Sequence, residues 1–278
     1  PDQGCEAFFT NVQGKTICHA LLLAMEDQIW ISTDAGIGEK LLPHLDKYLI
    51  REDVELVDQT NDVLTYFVGG ADAEKCLAIQ HDSPLTKMLG HSRFSTADSV
   101  QEKELKDGPK KIVVARVPYS TSPAFFAFVP RTDEADWLQW MSSSGAESIS
   151  AEALEFARIQ AGFPCSGRDV TEDNLPQEIG RDEVAISFTK GCYLGQETVA
   201  RIDALGHVNK NLARLTFQSD TAAPRGAELR YQDKVVGTVT SSVDDPGHPP
   251  IGLGFVRREC LEKNLPLESD FGAVHVDQ

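Results

Sequence analysis

The chain has 278 residues, 41% of them hydrophobic, and a formal net charge of −17. This length and apolar content suffice for one large domain or two, and they exclude an intrinsically disordered chain. The acidity argues against a general nucleic-acid-binding protein, which needs a basic surface, and no apolar run approaches the roughly 20 residues that a membrane-spanning helix requires.

The first half of the chain alternates predicted strands with helices. Strands are predicted from Phe8 onward and over 16–24, 28–32, 54–57 and 63–68, with a hairpin turn at 11–15. Residues 34–49 have apolar residues at helical spacing, interrupted by Pro43, and 72–79 form a short helix. Residues 80–110 are polar, and we interpret them as irregular with one short strand.

In the second half of the chain, the predicted elements are first strands and helices and then, after Gly206, strands alone. Strands are predicted over 112–117 and 124–129, and helices over 133–141 and 151–161, the latter capped by Ser150. Residues 162–183 are rich in loop-forming residues. After Gly206, short strands are predicted over 212–217, 228–231, 235–243 and 251–256. Closely spaced strands with little helix indicate a small β-barrel.

The most informative segment is Lys-Gly-Cys-Tyr-Leu-Gly-Gln-Glu at 190–197. An apolar strand over 185–188 and a helix over 196–204 are predicted on either side of it. Gly191 and Gly195 permit backbone angles that other residues resist. Cys192 would lie near the start of the helix with Lys190 close by, and both influences favour a thiolate.

Cysteines and histidines provide no second motif of this kind. The six cysteines are scattered without a Cys-x-x-Cys pair, and the seven histidines have no metal-binding spacing. In a chain of this length, scattered cysteines predict a reduced, cytoplasmic protein rather than a disulfide scaffold. The sequence therefore predicts no metal site.

The central segment, extended through Arg201, resembles the signature of the YgfZ family, folate-binding relatives of the glycine cleavage T-protein. Other segments resemble the same family in the same order along the chain. They are the hairpin Asn-Val-Gln-Gly-Lys at 11–15, Arg-Ile-x-x-Gly-x-Pro at 158–164, Pro-x-Glu at 176–178 and Gly-Leu-Gly-Phe-Val-Arg-Arg at 252–258. The resemblance thus covers nearly the whole chain.

The resemblance implies an α+β fold in which a T-protein-like folate-binding body forms a ring with a C-terminal small β-barrel. The folate-binding region would be 1–205, lacking the family's N-terminal segment, and the barrel would be 206–278. The implied function is tetrahydrofolate-dependent assembly or repair of iron–sulfur proteins, with folate and iron–sulfur client or assembly proteins as partners. The alternative is a folate-dependent aminomethyl- or methyltransferase of the T-protein type in one-carbon metabolism.

Cys192 and Lys190 are the candidate catalytic residues. Their alternative roles are a small packed thiol and a solvated lysine at a strand end. The candidate folate-binding residues implied by the resemblance are Asn11, His19, Gln160, Tyr193, Gln196, Glu197 and Arg201.

Most of these residues also have a purely structural interpretation, which for His19 is that of a strand residue. Asn11 could stabilise the hairpin turn, and the ring of Tyr193 could fill the core instead of stacking on a pterin. Gln196 and Glu197 could form an ordinary first helical turn. Glu197 and Arg201, four residues apart, could form an ion pair along the helix.

Two positions depart from the T-protein pattern. T-proteins have a glutamate where this chain has Gln160, and an amide offers a pterin only one acceptor group. They also have an aspartate where the best-matching residues here are Cys18 and His19. Methylene transfer needs an anion beside the developing cation, which a neutral imidazole cannot supply. This difference counts against aminomethyltransferase activity.

Overall fold

The computed structural model describes residues 3–77, 100–103 and 112–277. Backbone contacts divide the chain into two compact units. The first unit comprises Pro1–Ala7 and Ala20–Ser148, and the second comprises Phe8–His19 and Ile149–Gln278. The boundary expected between residues 205 and 206 stays a prediction.

The elements from the start of the chain to residue 143 are mainly strands. In chain order they are β1 (Gln3–Thr10), β2 (Thr16–Ala24), β3 (Ile29–Ser32), α1 (Gly38–Asp46), β4 (Val63–Gly69), α2 (Ala73–Cys76), β5 (Val100–Lys103), β6 (Ile112–Arg116), β7 (Ala124–Pro130) and α3 (Glu134–Ser143). One sheet has the order β1-β2-β3 and another the order β4-β7-β6-β5. The strand predicted over 54–57 is wrong, because Val54 and Val57 are each 59% exposed in an irregular segment.

Strands β6 and β7 consist almost entirely of apolar residues, and both of their faces are covered. On one face Val114 and Phe125 pack with Trp137 of α3. On the other face Val113 and Phe128 pack with Leu23 of β2 and with Met25, which follows it. The strands predicted over 112–117 and 124–129 are therefore confirmed, and the structure shows in addition that both are buried.

The elements after residue 150 build the second unit. They are α4 (Ala151–Gln160), α5 (Asp182–Ala185), α6 (Gln196–Leu205), β8 (Lys210–Phe217), β9 (Glu228–Tyr231), β10 (Lys234–Val243), β11 (Ile251–Arg257), α7 (Arg258–Glu262), β12 (Leu267–Ser269) and β13 (Gly272–Asp277), with a 3-10 turn at Pro176–Ile179. The predicted cap of α4 is confirmed, because the Ser150 hydroxyl accepts the Ala153 N–H at 3.2 Å.

Strands β8 to β13 close into a six-stranded barrel of order β10-β11-β8-β13-β12-β9. Its interior is filled by side chains from alternate strand positions, including Leu215 and Phe217 of β8 and Val239 of β10. The expected α+β fold with a C-terminal β-barrel is therefore confirmed. In the part of the chain that the structure describes, no helix is long and apolar enough to span a bilayer.

Candidate functional site

Helix α6 begins at Gln196, directly after Gly195, the second glycine of the central motif. Gly195 has φ +79°, a left-handed conformation that glycine adopts without strain. The side-chain oxygen of Gln196 accepts the backbone N–H of Tyr193 at 3.1 Å, and the Tyr193 carbonyl accepts the Gln196 N–H at 3.3 Å. Gln196 thus closes the turn that leads into the helix.

The segment before this turn is an exposed loop and not a strand. The strand predicted over 185–188 is wrong, because α5 ends at Ala185 and no β-ladder follows it. The Ser187 hydroxyl accepts the backbone N–H of Lys190 at 3.2 Å, which forms a second turn. Cys192 lies between the two turns with an exposed thiol. Of the two motif glycines, Gly195 has a positive φ and Gly191 does not.

The ammonium of Lys190 lies over the ring of Tyr193, 4.5 Å from its centroid. Such a cation–π contact favours one orientation of the lysine side chain within the loop that carries Cys192. The ring of Tyr193 is partly buried, and this burial raises the pKa of its hydroxyl. Tyr193 therefore remains a neutral hydrogen-bonding phenol at physiological pH.

The hairpin turn between β1 and β2 packs directly on the central motif. The Thr10 hydroxyl donates a 2.6 Å hydrogen bond to the Leu194 carbonyl, across 184 residues of sequence. A Cβ atom on Gly195 would lie 2.6 Å from the Asn11 carbonyl oxygen and 2.6 Å from the Cα of Gly14. The two glycines thus permit a backbone-to-backbone contact that holds the thiol loop at its C-terminal end.

This contact brings several candidate residues together. Asn11 lies in the hairpin turn, where its side-chain oxygen accepts the N–H groups of Gln13 and Lys15 at 2.9 and 3.0 Å. Tyr193 and Gln196 lie on the motif side of the same contact. Glu197 and Arg201 are exposed on α6, and the described residues form no ion pair between them. The ion pair that was one of the two alternatives for Glu197 and Arg201 is therefore absent from this part of the structure.

The two candidates that depart from the T-protein pattern have different environments. His19 is 3% exposed and packs between the rings of Phe8 and Phe163, with ring centroids 5.3 Å away on each side. Gln160 ends α4 with an exposed side chain, and its backbone carbonyl accepts a hydrogen bond from Arg214. Gln160 can reach a dissolved ligand, whereas His19 is shielded.

A buried charged cluster that the sequence did not reveal ties α4 to the barrel. Asp169 is fully buried and accepts four hydrogen bonds. One oxygen accepts from the Arg158 guanidinium at 2.8 Å and from the Cys165 N–H at 2.9 Å. The other accepts from the hydroxyls of Thr240 and Ser241 in β10. The only sequence signal was Arg158 in the Arg-Ile segment, since Asp169 resembles any loop aspartate.

Glu155 completes this cluster on the partly exposed side. It accepts from Arg158 at 2.6 and 2.9 Å and from Arg168 at 2.9 and 3.2 Å. Burial alone would raise the pKa of Glu155, but hydrogen bonds and charge from the two arginines outweigh it and lower the pKa. Burial likewise opposes the charge of Arg158, yet Glu155 and Asp169 raise its pKa overall. Glu155 and Arg158 are therefore both ionised in the folded protein.

Asp182, at the start of α5, carries a carboxyl group with a strongly shifted pKa. Burial, and then repulsion by Asp203 and Glu183, raise the pKa of Asp182 to about 6. One of its oxygens is buried without a hydrogen-bond partner among the described residues. Ionisation of Asp182 therefore opposes folding.

We expect Asp182→Asn to stabilise the protein at pH 8 and to have little effect at pH 4. A raised carboxyl pKa means that the native state of the parent loses stability as the pH rises from the unfolded-state value through about 6. The gain should approach roughly 1–3 kcal/mol. Urea unfolding of both proteins across this pH range measures it, and a gain independent of pH would contradict the assignment.

The structure describes all six cysteines, and none of them forms a disulfide. Among the described residues, no group of three or more histidine, cysteine, aspartate or glutamate side chains could hold a metal ion. Any metal–thiolate chemistry at Cys192 would therefore require ligands from outside the described residues.

The fold matches that of glycine cleavage system aminomethyltransferase T from Bartonella henselae, with a TM-score of 0.81. The match covers all of this chain and 75% of that chain at 16% sequence identity. At this identity the likeness establishes the fold alone. The protein therefore has the fold of the glycine cleavage T-protein, and no family model matches the chain.

Three proteins with similar sequences show which T-protein-like proteins this chain resembles. The chain is 24% identical to the tRNA-modifying protein YgfZ of Blochmanniella pennsylvanica, over 76% of this chain and 59% of that protein. It is 23% identical to the mitochondrial iron-sulfur cluster assembly factor IBA57 homolog of Yarrowia lipolytica, over 97% of this chain and 58% of that protein. It is 26% identical to the aminomethyltransferase of Cutibacterium acnes, over 86% of this chain and 65% of that protein.

These relatives confirm the resemblance inferred from the sequence, because they include a YgfZ protein, an IBA57 homologue and an aminomethyltransferase. The chain spans less than two thirds of the length of each of the three.

Proposed function

We propose that the protein binds tetrahydrofolate and assists the assembly or repair of iron–sulfur proteins through the thiol of Cys192. The observation that carries this proposal is an exposed thiol on a loop held by the Thr10–Leu194 hydrogen bond and the Gly14–Gly195 contact. The T-protein fold and a relative that is an iron-sulfur cluster assembly factor support it.

The chemistry of this site requires a partner. Iron–sulfur clusters take about four thiolate ligands, and Cys192 supplies one. A client protein, an assembly protein or a small thiol would supply the others. Exposure of the thiol permits such an approach, and the Lys190 ammonium lies over Tyr193 on the same loop. Lys190 would attract the anionic thiolates of the partner.

The exposed candidates fit a reduced folate better than the buried ones. Gln160 offers an amide acceptor and donors at the end of α4, and Arg201 offers an exposed guanidinium for a carboxylate. Asn11 keeps its side-chain N–H₂ group, since only its oxygen is used in the turn. His19 does not fit a direct role, because Phe8 and Phe163 cover its ring. Folate would present hydrogen-bonding ring edges and carboxylates to these groups.

We expect Gln160→Glu to tighten tetrahydrofolate binding by roughly tenfold, because a carboxylate forms stronger, charge-assisted hydrogen bonds with pterin N–H groups. Calorimetry under anaerobic conditions measures the change. Gln218→Glu, which adds the same charge at another exposed position of the second unit, is the matched control and should leave the affinity unchanged. Absence of binding by the parent protein at millimolar folate would refute the folate proposal.

We expect Cys192→Ala to abolish iron–sulfur maturation while leaving the free energy of unfolding within about 0.5 kcal/mol of the parent value, because the side chain is exposed. The assay measures iron–sulfur enzyme activities in cells deleted for their own YgfZ-type protein. Cys5→Ala removes another exposed thiol and should retain function. Full function of Cys192→Ala would exclude the thiol from the mechanism.

The second candidate is a folate-dependent aminomethyltransferase. The fold and the Cutibacterium acnes relative favour it. Cys18 and His19 weigh against it, since neither is a carboxylate and both are buried. Transfer of a one-carbon unit from a methylamine donor to tetrahydrofolate by the purified protein would support this candidate. Lack of turnover, together with folate binding, would support the first.

Two further features belong to the proposal. The cysteines, none of which forms a disulfide, are consistent with a reducing compartment, and we propose a cytoplasmic location.

We also propose that the folate-binding region ends and the barrel region begins between residues 205 and 206. The support for this boundary is local, because α6 ends at Leu205 and Gly206 follows with φ +77°.

A further inference from the structure

A cleft in the second unit contains a pair of oppositely charged side chains. It lies between the segment after α4, the end of the 3-10 turn at Pro176–Ile179 and one side of the barrel, and its volume is about 410 Å³. This is the size of a site for a small molecule. None of the candidate thiol or folate residues discussed above lines the cleft.

The charged pair lies on two neighbouring strands of the barrel. Arg214 on β8 and Asp277 on β13 both line the cleft, and they are directly opposite each other in the antiparallel pairing of these strands. Cross-strand partners have side chains on the same face of the sheet, with Cα atoms about 4.5–5.5 Å apart. A positive and a negative group are therefore presented side by side.

The Arg214 side chain is held from the side of α4. Its guanidinium donates one N–H to the Gln160 carbonyl at 2.9 Å. Its Cγ and Cδ atoms lie 3.6 and 3.5 Å from the position that a Cβ atom would take on Gly162, so the aliphatic stem packs along the chain there. A guanidinium has five N–H donors. One bond to a carbonyl thus orients Arg214 and leaves further donors for a ligand.

The Asp277 carboxylate is held by a different neighbour. Its two oxygens accept from the Thr216 hydroxyl at 3.2 and 3.1 Å. A carboxylate has about four acceptor positions, so a single hydroxyl leaves acceptors for a ligand. Arg214 and Asp277 are thus each oriented by an uncharged group, on different sides of the cleft.

Apolar side chains form another part of the lining. Ile179 and Leu212 belong to one apolar cluster, and Leu261 of α7 adds a partly exposed side chain. Arg181 also lines the cleft, where its guanidinium packs 5.3 Å from the centroid of the Phe163 ring, and we assign it no contact with a ligand. The cleft therefore combines a donor, an acceptor of opposite charge and an apolar wall.

A ligand that matches this combination has a cation and an anion close together and an apolar body. A simple anion would bring its charge next to Asp277, and a simple cation would bring its charge next to Arg214. We propose that the cleft binds a free α-amino acid with an apolar side chain, whose carboxylate is held by Arg214 and whose ammonium is held by Asp277. The ligand's side chain would pack on the apolar wall.

The binding is tested on the full chain with leucine and two analogues that each lack one charge. Isocaproate is leucine without its ammonium group, and isopentylamine is leucine without its carboxylate. Leucine should bind at least about tenfold more tightly than either analogue, because each analogue loses charge-assisted hydrogen bonds. Leucine should also bind more tightly than glycine, which has no side chain to pack on the wall. Calorimetry and chemical shifts of cleft residues measure these affinities.

Two variants assign each charge of leucine to its partner. Arg214→Gln should lower the affinity for leucine about tenfold and remove the preference for leucine over isopentylamine. Asp277→Asn should lower it by a similar factor and remove the preference for leucine over isocaproate. A general loss of structure would not produce these two separate patterns. Arg225→Gln and Asp220→Asn change exposed charges of the second unit outside the cleft, and both should bind leucine as the parent does.

Several outcomes would overturn the proposal. They are the absence of leucine binding at about 50 mM, equal affinities for leucine and either analogue, or an unchanged preference in either cleft variant. Displacement of leucine by tetrahydrofolate would also overturn it and would assign the cleft to the folate site. Failure of the parent to bind folate would leave the leucine result unaffected, so the two proposals fail separately.

Discussion

Asp169→Ala is expected to lower the free energy of unfolding of the second unit by about 3–5 kcal/mol. The carboxylate of Asp169 is completely buried and accepts from Arg158, Cys165, Thr240 and Ser241. Alanine would leave these donors without their acceptor. It would also remove one of the negative charges that balance the buried guanidinium of Arg158. Loss of the partner of a buried charge is among the most destabilising single changes.

Asp169→Asn should lower the free energy of unfolding by less than Asp169→Ala does. Comparing the two variants separates the contribution of the charge from that of the hydrogen bonds. An asparagine can direct its oxygen toward Arg158 and Cys165 while its N–H₂ group donates to the Thr240 and Ser241 hydroxyls, which can accept. Only the charge is then lost. Glu155 still pairs with Arg158 at 2.6 Å and limits that loss. We therefore expect Asp169→Asn to lie between the parent and Asp169→Ala.

The matched control is an aspartate–arginine pair on the surface. Asp270 pairs with Arg230 and is 73% exposed, so Asp270→Ala should cost less than about 1 kcal/mol. Tryptophan fluorescence would report on the wrong unit, because Trp30, Trp137 and Trp140 all belong to the first. Hydrogen exchange of α4 and β10 is the suitable measurement. Equal effects of Asp169→Ala and Asp270→Ala would contradict the importance of the buried cluster.

Much of the fold could be predicted because buried strands leave a local signal. The apolar runs at 112–117 and 124–129 predicted strands, and the closely spaced short strands after Gly206 predicted a barrel. Strands β12 and β13 and helix α7 were missed. Leu267–Ser269 has only three residues, too few for a periodic pattern, and it pairs with β13 and β9 only within the closed barrel.

Two errors have the same physical cause. Residues 54–57 and 185–188 contain residues with high strand propensity, but a strand also needs a partner with hydrogen-bonding groups in register. Val54 and Val57 are exposed, and Phe188 is 50% exposed. Local propensity could not show that no partner strand lies beside either segment in the described part of the chain.

The site was only partly visible in the sequence. The start of α6 and the turn chemistry of Asn11 follow from local rules, and both were anticipated. The Thr10–Leu194 hydrogen bond joins residues 184 positions apart, so no local pattern encodes it. The burial of His19 likewise depends on Phe163, which lies far from the β1–β2 hairpin in the sequence. Long-range contacts of this kind arise from the tertiary fold and have no periodic signature.

Gly195→Ala is the second change with a large expected effect, and it tests the attachment of the thiol loop. Alanine at this position meets two separate costs. The first is the left-handed conformation at φ +79°, which costs roughly 1–2 kcal/mol for a residue with a Cβ atom. The second is steric, because the new Cβ would lie 2.6 Å from the Asn11 oxygen and from the Gly14 Cα. Overpacking against backbone costs about 1–3 kcal/mol more.

Two other glycines separate these costs. Gly206 has φ +77°, and among the described residues no atom lies within 4 Å of the position that a Cβ would take, so Gly206→Ala should show the conformational cost alone. Gly191 lies in the same motif, has open space around it and lacks a positive φ, so Gly191→Ala should be nearly neutral. The free energy of unfolding from chemical denaturation, followed by circular dichroism, should fall in the order Gly191→Ala, Gly206→Ala, Gly195→Ala.

The same series links the fold to the proposed thiol chemistry. Gly195→Ala must separate the 11–15 hairpin from residues 194–198, and this separation would release the C-terminal end of the loop that carries Cys192. Iron–sulfur maturation should then fall in Gly195→Ala even at a temperature where the variant stays folded, while Gly206→Ala retains function. If Gly195→Ala were no less stable than Gly206→Ala, the close contact between the hairpin and Gly195 would be contradicted. The hairpin would then not hold the loop that carries Cys192.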